Sequence, residues 1–169
     1  MAERNDPARN AADQELVITH IFDAPRELVF KLWTEVEHAK NWMGPRDYPI
    51  VHMEGEIRPG GAWRACLRAK DGSEDLWQGG VYREVAAPER LVFTFAWDDD
   101  DGRPGKETLV TITFAEHEGK TKMTFHQAPF ESVERRDGHR GGWNSSFDRL
   151  DVYVNDLQNE GENHDRTKR

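Results

Sequence analysis

Residues 48–127 alternate large apolar residues with polar or small ones, a period typical of β-strands. In the clearest run, residues 91–97, every second residue is large and apolar. Gly and Pro turns separate the runs, and Asp71-Gly72 is a strong hairpin signal because glycine tolerates a positive φ. Such short turns favour antiparallel pairing of neighbouring strands. The pattern predicts six antiparallel strands: 48–57, 62–69, 76–85, 91–97, 107–115 and 121–127.

One further strand and two short helices are predicted ahead of this region. Residues 16–22 form a β-prone run, and Asp23-Ala24-Pro25 stops it and starts a helix with proline in the first turn. A second short helix follows at residues 36–42 and ends at Gly44-Pro45, because proline cannot continue a helix.

The last helical segment carries an apolar stripe whose members are separated alternately by four and three residues: Trp143, Phe147, Leu150, Val154 and Leu157. Residues 138–142 just before it include three glycines, each costing about 1 kcal/mol in a helix interior. We therefore predict a loop or kink at 138–142 and a helix from about Gly142 to Leu157.

These elements together predict an α+β domain. In it a curved antiparallel sheet wraps around a long C-terminal helix, with two short helices after the first strand. The domain is expected at residues 14–158, between a flexible lead-in at 1–13 and a flexible polar tail at 159–169. A sheet closed around a helix can enclose a cavity.

Composition narrows the class of partner. The 169 residues suit one domain, and 23 basic against 32 acidic residues give a formal net charge of −9. We therefore expect neither nucleic acid nor a membrane surface as a partner, since both are bound mainly through Lys and Arg. A cytoplasmic location is predicted because no signal-like or 18-residue apolar stretch occurs. The single Cys66 excludes an intramolecular disulfide.

Several short motifs between residues 16 and 157 carry a joint resemblance: Phe22-Asp23-Ala24-Pro25, Pro59-Gly60-Gly61 with Trp63, residues 80–85, residues 88–94, and Gly142-Trp143 with Asp148-Arg149-Leu150. Taken together they resemble the START/SRPBCC (polyketide cyclase-like, Bet v-like helix-grip) superfamily. More narrowly, the chain looks like bacterial proteins similar to the C-terminal domain of the heat-shock-protein-90 ATPase activator. The resemblance implies a helix-grip fold with a cavity between sheet and last helix. It does not define an activity, because the superfamily includes carriers, cyclases and a cochaperone domain.

Aromatic residues on the strands and last helix favour a ligand cavity, although a packed aromatic core is the alternative. Gly79-Gly80 lies within a strand, where missing side chains let a backbone or a ligand approach. Gln78 and Tyr82 flank this gap. Whether Trp77 or Gln78 points inward stays open, because a bulge near Gly79 would reverse the alternation.

His20 shares an alternating face with Ile18 and Phe22, so it is either a polar group or general base at the cavity wall, or an ordinary core or edge histidine. The predicted cavity residues are His20, Met53, Trp63, Gln78, Gly80, Tyr82, Phe93, Phe95, Trp97, Ile112, Phe125, Trp143 and Phe147.

We predict no catalytic residues, no metal site and no cofactor. No two histidines have the helical spacing of a zinc site, and the acidic run 98–101 lacks the alternating ligands of a calcium loop. The first functional prediction is binding of a small hydrophobic or aromatic molecule without obligatory chemistry. One alternative is a protein-binding module with a chaperone partner, and another is a cyclase or hydrolase acting in the cavity. Homodimerisation stays open.

Overall fold

The computed structural model describes the backbone of residues 13–167 and the side chains of residues 13–160; the lead-in predicted at 1–13 lies outside these ranges except for its last residue. Its elements are, in chain order, β1 (Leu16–Phe22), α1 (Arg26–Thr34), α2 (Val36–Ala39), β2 (Ile50–Gly55), β3 (Ala62–Arg68), β4 (Asp75–Ala86), β5 (Arg90–Trp97), β6 (Thr108–His117), β7 (Lys120–Ala128) and α3 (Val133–Thr167). None of the helices described is both long and apolar enough to cross a membrane.

The strands form one curved antiparallel sheet in the order β1-β7-β6-β5-β4-β3-β2. Strands β2 to β7 follow one another as hairpin neighbours, as the short Gly and Pro turns predict. Strand β1 completes the sheet beside β7, with Ile18 paired to Phe125. The helix-grip prediction is confirmed.

The core lies between the inner face of this sheet and the helices. Helix α1 buries Val29, Phe30, Leu32 and Trp33. Helix α3 contributes the buried side chains of Trp143, Phe147, Leu150 and Val154. The stripe read from the sequence is therefore the face that the sheet holds.

The predicted break at residues 138–142 is wrong. Helix α3 begins at Val133 and continues without interruption to Thr167, well past the predicted end at Leu157. The Ser132 hydroxyl accepts the Arg135 backbone N–H at 3.1 Å and caps the helix. His139 and Trp143 anchor the glycine-containing turns to the sheet through hydrogen bonds, so tertiary contacts offset the low helix propensity of glycine.

The structure settles which residue of β4 points inward. Gln78 is buried, whereas Trp77 lies on the outer face, where the Arg64 guanidinium sits 5.1 Å from its ring centroid. The bulge that shifts the register of β4 lies between Tyr82 and Glu84. Residues near Gly79 therefore keep a regular alternation.

Candidate functional site

A cavity of about 510 Å³ lies between the sheet and the first half of helix α3. The loop after α2 forms one wall with Met43, Gly44, Pro45 and Tyr48. The sheet forms the opposite wall, with Leu67 on β3, Leu76 and Gln78 on β4, and Phe95 and Trp97 on β5.

The helix wall of the cavity is a single helical face. Each of its main members lies three or four residues from another, which is the spacing of one helical face: Arg135, Gly138, His139, Gly142, Trp143 and Ser146. A Cβ atom added to Gly138 or Gly142 would meet no atom within 4 Å. These two glycines therefore leave space that longer side chains would fill. Both glycines share the helical face of Trp143, so the sequence carried a signal for this space. The sequence analysis instead interpreted these glycines as a break in the helix.

Gln78 is the buried polar group of the sheet wall. Gln78 is 4% exposed as a residue, and its amide, which solvent still reaches, makes no hydrogen bond to any residue of the described part of the chain. A primary amide carries both donors and an acceptor. Opposite it, the buried Ser146 hydroxyl donates to the Gly142 carbonyl at 3.1 Å and keeps its lone pairs available.

His139 is a half-buried, neutral member of the helix wall. Nε2 accepts the indole N–H of Trp97 at 3.0 Å, and an indole nitrogen can only donate, so the ring proton sits on Nδ1. Burial first, and the positive charge of Arg135 second, lower the pKa of His139 from 6.5 to about 4. The ring also packs on Phe95 and Phe130, with centroids 5.5 and 4.9 Å away. His139 is therefore a weak base, and its ring is held in a fixed position in the cavity lining.

Helix α3 holds the loop that forms one wall of the cavity. Arg149 donates to the backbone carbonyls of Asn41, Met43 and Gly44 at 3.2, 3.3 and 2.7 Å. Gly44 has a φ of +92°, and a Cβ there would lie 2.7 Å from the Tyr48 carbonyl oxygen. The loop conformation thus needs both this glycine and the Arg149 guanidinium.

The structure divides the predicted cavity residues into groups. Gln78, Phe95, Trp97 and Trp143 line the cavity. A second group surrounds a separate inner space of about 10 Å³: Met53, Trp63, Tyr82 and Phe93, together with Trp143. The third group lies in the packed core: Ile112, Phe125 and Phe147. The Phe125 ring is 4.7 Å from that of Trp143 and 5.5 Å from that of Phe147, so side chains fill this deep region.

Gly80 and His20 lie away from the cavity lining. A Cβ on Gly80 would fall 1.8 Å from the Thr94 carbonyl oxygen, so this glycine serves the close approach of two strands. His20 Nε2 contacts Asp151 Oδ2 at 2.8 Å, and the ring lies 4.4 Å from Phe22. The contact between His20 and Asp151 joins β1 to α3.

A seven-stranded antiparallel sheet that grips a long C-terminal helix defines a helix-grip protein of the START/SRPBCC superfamily. Residues 23–155 match the family model described as "Activator of Hsp90 ATPase homolog 1-like protein", and the chain belongs to this family. The resemblance read from the sequence motifs is confirmed.

Solved structures share this fold. The chain is similar to the AHSA1 protein of Silicibacter pomeroyi, with a TM-score of 0.75 and 23% identity over 83% of this chain and 96% of that one. A protein from Arthrobacter aurescens gives a TM-score of 0.77 and 23% identity over 86% and 88% of the two chains. For an AHSA1-like protein from Aeromonas hydrophila the values are 0.67, 22%, 85% and 94%. No match was found among curated proteins. At these identities the likeness shows the fold alone.

Proposed function

We propose that the protein binds a small, neutral, hydrophobic or aromatic molecule in the 510 Å³ cavity, without chemistry on it. The observation that carries this proposal is the amide of the buried residue Gln78, which lines the cavity without a partner among the described residues, in an otherwise largely apolar wall. Ligand sites typically combine apolar walls with a few polar groups that fix orientation. The volume also falls in the range of about 300–1,000 Å³ usual for such sites.

The charges around the cavity favour a neutral ligand. Its buried or half-buried polar members, Gln78, Ser146 and His139, are all uncharged at neutral pH. The charged lining residues Glu134 and Arg135 are exposed at the rim and have opposite signs. An ion placed inside without a partner would lose several kcal/mol of hydration, on the order of what binding provides.

Binding rather than turnover is supported by the state of the titratable groups. Acid–base catalysis needs a group whose pKa lies near the working pH and whose lone pair reaches the substrate. The Nε2 lone pair of His139 is already engaged by Trp97, and its pKa is about 4. The one carboxylate in the lining, Glu134, is exposed. A cyclase or hydrolase function would require these groups to rearrange.

A pair of neighbouring glycines gives a direct test. Gly142→Leu places a side chain into the cavity, whereas Gly141→Leu places the same side chain on the exposed side of the helix. Titration with the neutral probe N-phenyl-1-naphthylamine, followed by probe and tryptophan fluorescence, should give a Kd for the wild type. We expect Gly142→Leu to weaken binding at least about tenfold and Gly141→Leu to leave it unchanged. Equal binding by the two variants would refute the cavity as the site.

The family name suggests a chaperone partner as the second candidate. Stimulation of a bacterial heat-shock-protein-90 ATPase by this chain would support it. The glycine variants separate the two functions: stimulation that is equal for wild type and Gly142→Leu would place chaperone binding on a surface apart from the cavity. Homodimerisation and a cytoplasmic location stay predictions.

A further inference from the structure

A second, much smaller space lies beside the main cavity. It measures about 10 Å³ and is lined by Trp33, Met53, Trp63, Tyr82, Leu91 and Phe93. Met43 and Trp143 line both this inner space and the main cavity, so these two side chains separate them. A space of this size accommodates about one water-sized group. That is also the size of a carbonyl oxygen.

One polar atom of this lining stands out. Among the side chains described for residues 13–160, Trp33 Nε1 is the nitrogen or oxygen that is both closed off from solvent and without a hydrogen-bond partner. The other two indoles of the lining are paired: Trp63 donates to the Thr94 carbonyl at 3.1 Å, and Trp143 donates to Gln127 Oε1 at 2.9 Å. A buried unpaired N–H is unfavourable, so an acceptor that reaches Trp33 would be bound more tightly there than at a paired donor.

Tyr82 supplies a second donor to the same space. Its side chain is 4% exposed, and its hydroxyl forms no hydrogen bond within the described part of the chain. Burial raises its pKa, so the hydroxyl keeps its proton. Trp33 and Tyr82 both lie against Phe93, with ring centroids 6.5 and 5.9 Å from it. Trp33 and Tyr82 therefore both line this space, and each carries a donor that no described residue accepts; the Tyr82 hydroxyl, unlike Trp33 Nε1, is still reached by solvent.

We propose that the inner space binds the acceptor oxygen of the ligand, a ketone, quinone, ester or amide carbonyl, and that Trp33 Nε1 and Tyr82 Oη donate to it. The apolar body of the same ligand fills the main cavity, so this inference rests on the proposed function. Met43 and Trp143 separate the two spaces, and Trp143 is held by its hydrogen bond to Gln127, so Met43 is the side chain that would move to give access. Methionine is unbranched and has three rotatable bonds, which makes it suited to this role.

A competing account of Trp33 needs no ligand. The Trp33 and Trp42 rings are nearly perpendicular, at 73°, with centroids 4.8 Å apart, a geometry in which an indole N–H can point at a ring face. In that case the N–H has a weak internal partner and contributes nothing to ligand choice. The two accounts differ in how binding depends on a single oxygen atom.

The test compares 2-acetylnaphthalene with 2-isopropenylnaphthalene, which have the same shape but carry a carbonyl oxygen and a methylene group, respectively. Calorimetric Kd values give a ketone-to-alkene ratio for each protein. We expect Trp33→Phe and Tyr82→Phe each to shift that ratio against the ketone by about fivefold or more, the effect of one hydrogen bond. Trp77→Phe is the control, because this indole lies on the outer face of the sheet and lines neither space, so the variant should keep the wild-type ratio.

A measurement on the wild type covers variants that do not fold. The indole N–H proton resonance of Trp33 should move downfield on adding the ketone and stay in place with the alkene. An unchanged ratio in Trp33→Phe and Tyr82→Phe, or identical shifts with both compounds, would overturn the inner site. If both compounds bind and Gly142→Leu blocks both, the proposed function stands without it. If neither compound binds the wild type, the inner site is overturned, and the N-phenyl-1-naphthylamine titration alone decides whether the proposed function stands.

Discussion

Trp97 donates its indole N–H to Nε2 of His139 across 3.0 Å, and this bond joins the end of strand β5 to the first turns of helix α3. It fixes the proton of the neutral imidazole on Nδ1. Protonation of Nε2 would remove the acceptor that Trp97 needs. The cavity wall and the charge state of one histidine are therefore linked.

The link predicts a loss of stability in mild acid. The pKa of His139 is lowered from 6.5 to about 4, so between these pH values the unfolded chain binds a proton that the folded chain does not. The stability that neutral His139 gives the folded state is fully present above pH 6.5. It decreases by about 1–3 kcal/mol as the pH falls toward 4. His139→Gln keeps an acceptor for Trp97 and cannot titrate. Urea unfolding from neutral pH to pH 4 should show a smaller loss for this variant. Parallel curves for the two proteins would contradict the linkage.

A buried amide network should be costly to interrupt. Gln127 is fully buried; its Oε1 accepts from Trp143 at 2.9 Å, and its Nε2 donates to Thr108 Oγ1 at 2.9 Å. Gln127→Leu preserves the volume but leaves the Trp143 N–H unpaired, so we expect a loss of about 2–4 kcal/mol in urea unfolding.

Trp143→Phe is the second arm of that experiment. It removes the N–H that Gln127→Leu would leave unpaired. The double variant should therefore lose less free energy of unfolding than the sum of the two single losses. Strictly additive losses would show that the network does not couple the two residues.

Local patterns were enough to predict most of the fold. Strand β1 occupies residues 16–22, as the β-prone run indicates, because a strand bounded by Asp23 and Pro25 is specified by neighbouring residues. The antiparallel order follows from turn chemistry in the same way. The glycines of 138–142 mark the limit of such reasoning. Their cost is local, whereas the contacts that offset it, from His139 to Trp97 and from Trp143 to Gln127, join distant parts of the chain.

The site was only partly predictable for a related reason. Alternation tells which strand face is inward, and it correctly placed Phe95 and Phe125 there, but it does not tell how far rings interlock. Phe125 proved to be packed core, whereas Phe95 lines the cavity. For the loop wall, the sequence marked only the end of the preceding helix at Gly44-Pro45 and gave no indication of what holds the loop in place. It is positioned by Arg149, which lies 105 to 108 positions away from the carbonyls that it binds.

That arginine should matter for both stability and binding. Arg149→Met keeps much of the aliphatic side chain but frees the carbonyls of Asn41, Met43 and Gly44. We expect a loss of about 1–3 kcal/mol in urea unfolding, since hydrogen bonds from a charged donor are among the stronger ones. Binding of N-phenyl-1-naphthylamine should also weaken, because the freed loop forms a wall of the cavity.

Arg140→Met is the matched control on the same helix. Arg140 is exposed and makes one long hydrogen bond, 3.5 Å, to the Val17 carbonyl, with a surface ion pair to Asp137 at 3.9 Å. Its replacement should change stability by less than about 0.5 kcal/mol and leave probe binding intact. Similar effects of the two substitutions would mean that Arg149 does not position the loop.

Two glycine-to-alanine substitutions should change the free energy of unfolding in opposite directions. In Gly80→Ala the new Cβ would lie 1.8 Å from the Thr94 carbonyl oxygen, a backbone atom that moves only if strands β4 and β5 separate. We expect a loss of about 3 kcal/mol or more, or failure to fold.

In Gly138→Ala the Cβ meets nothing within 4 Å, and the residue lies inside helix α3, where alanine has the higher propensity. Thermal and urea unfolding should show a gain of about 0.5–1 kcal/mol. A loss in Gly138→Ala would mean that the helix is interrupted at this glycine after all, and a neutral Gly80→Ala would mean that β4 and β5 do not approach as closely as described.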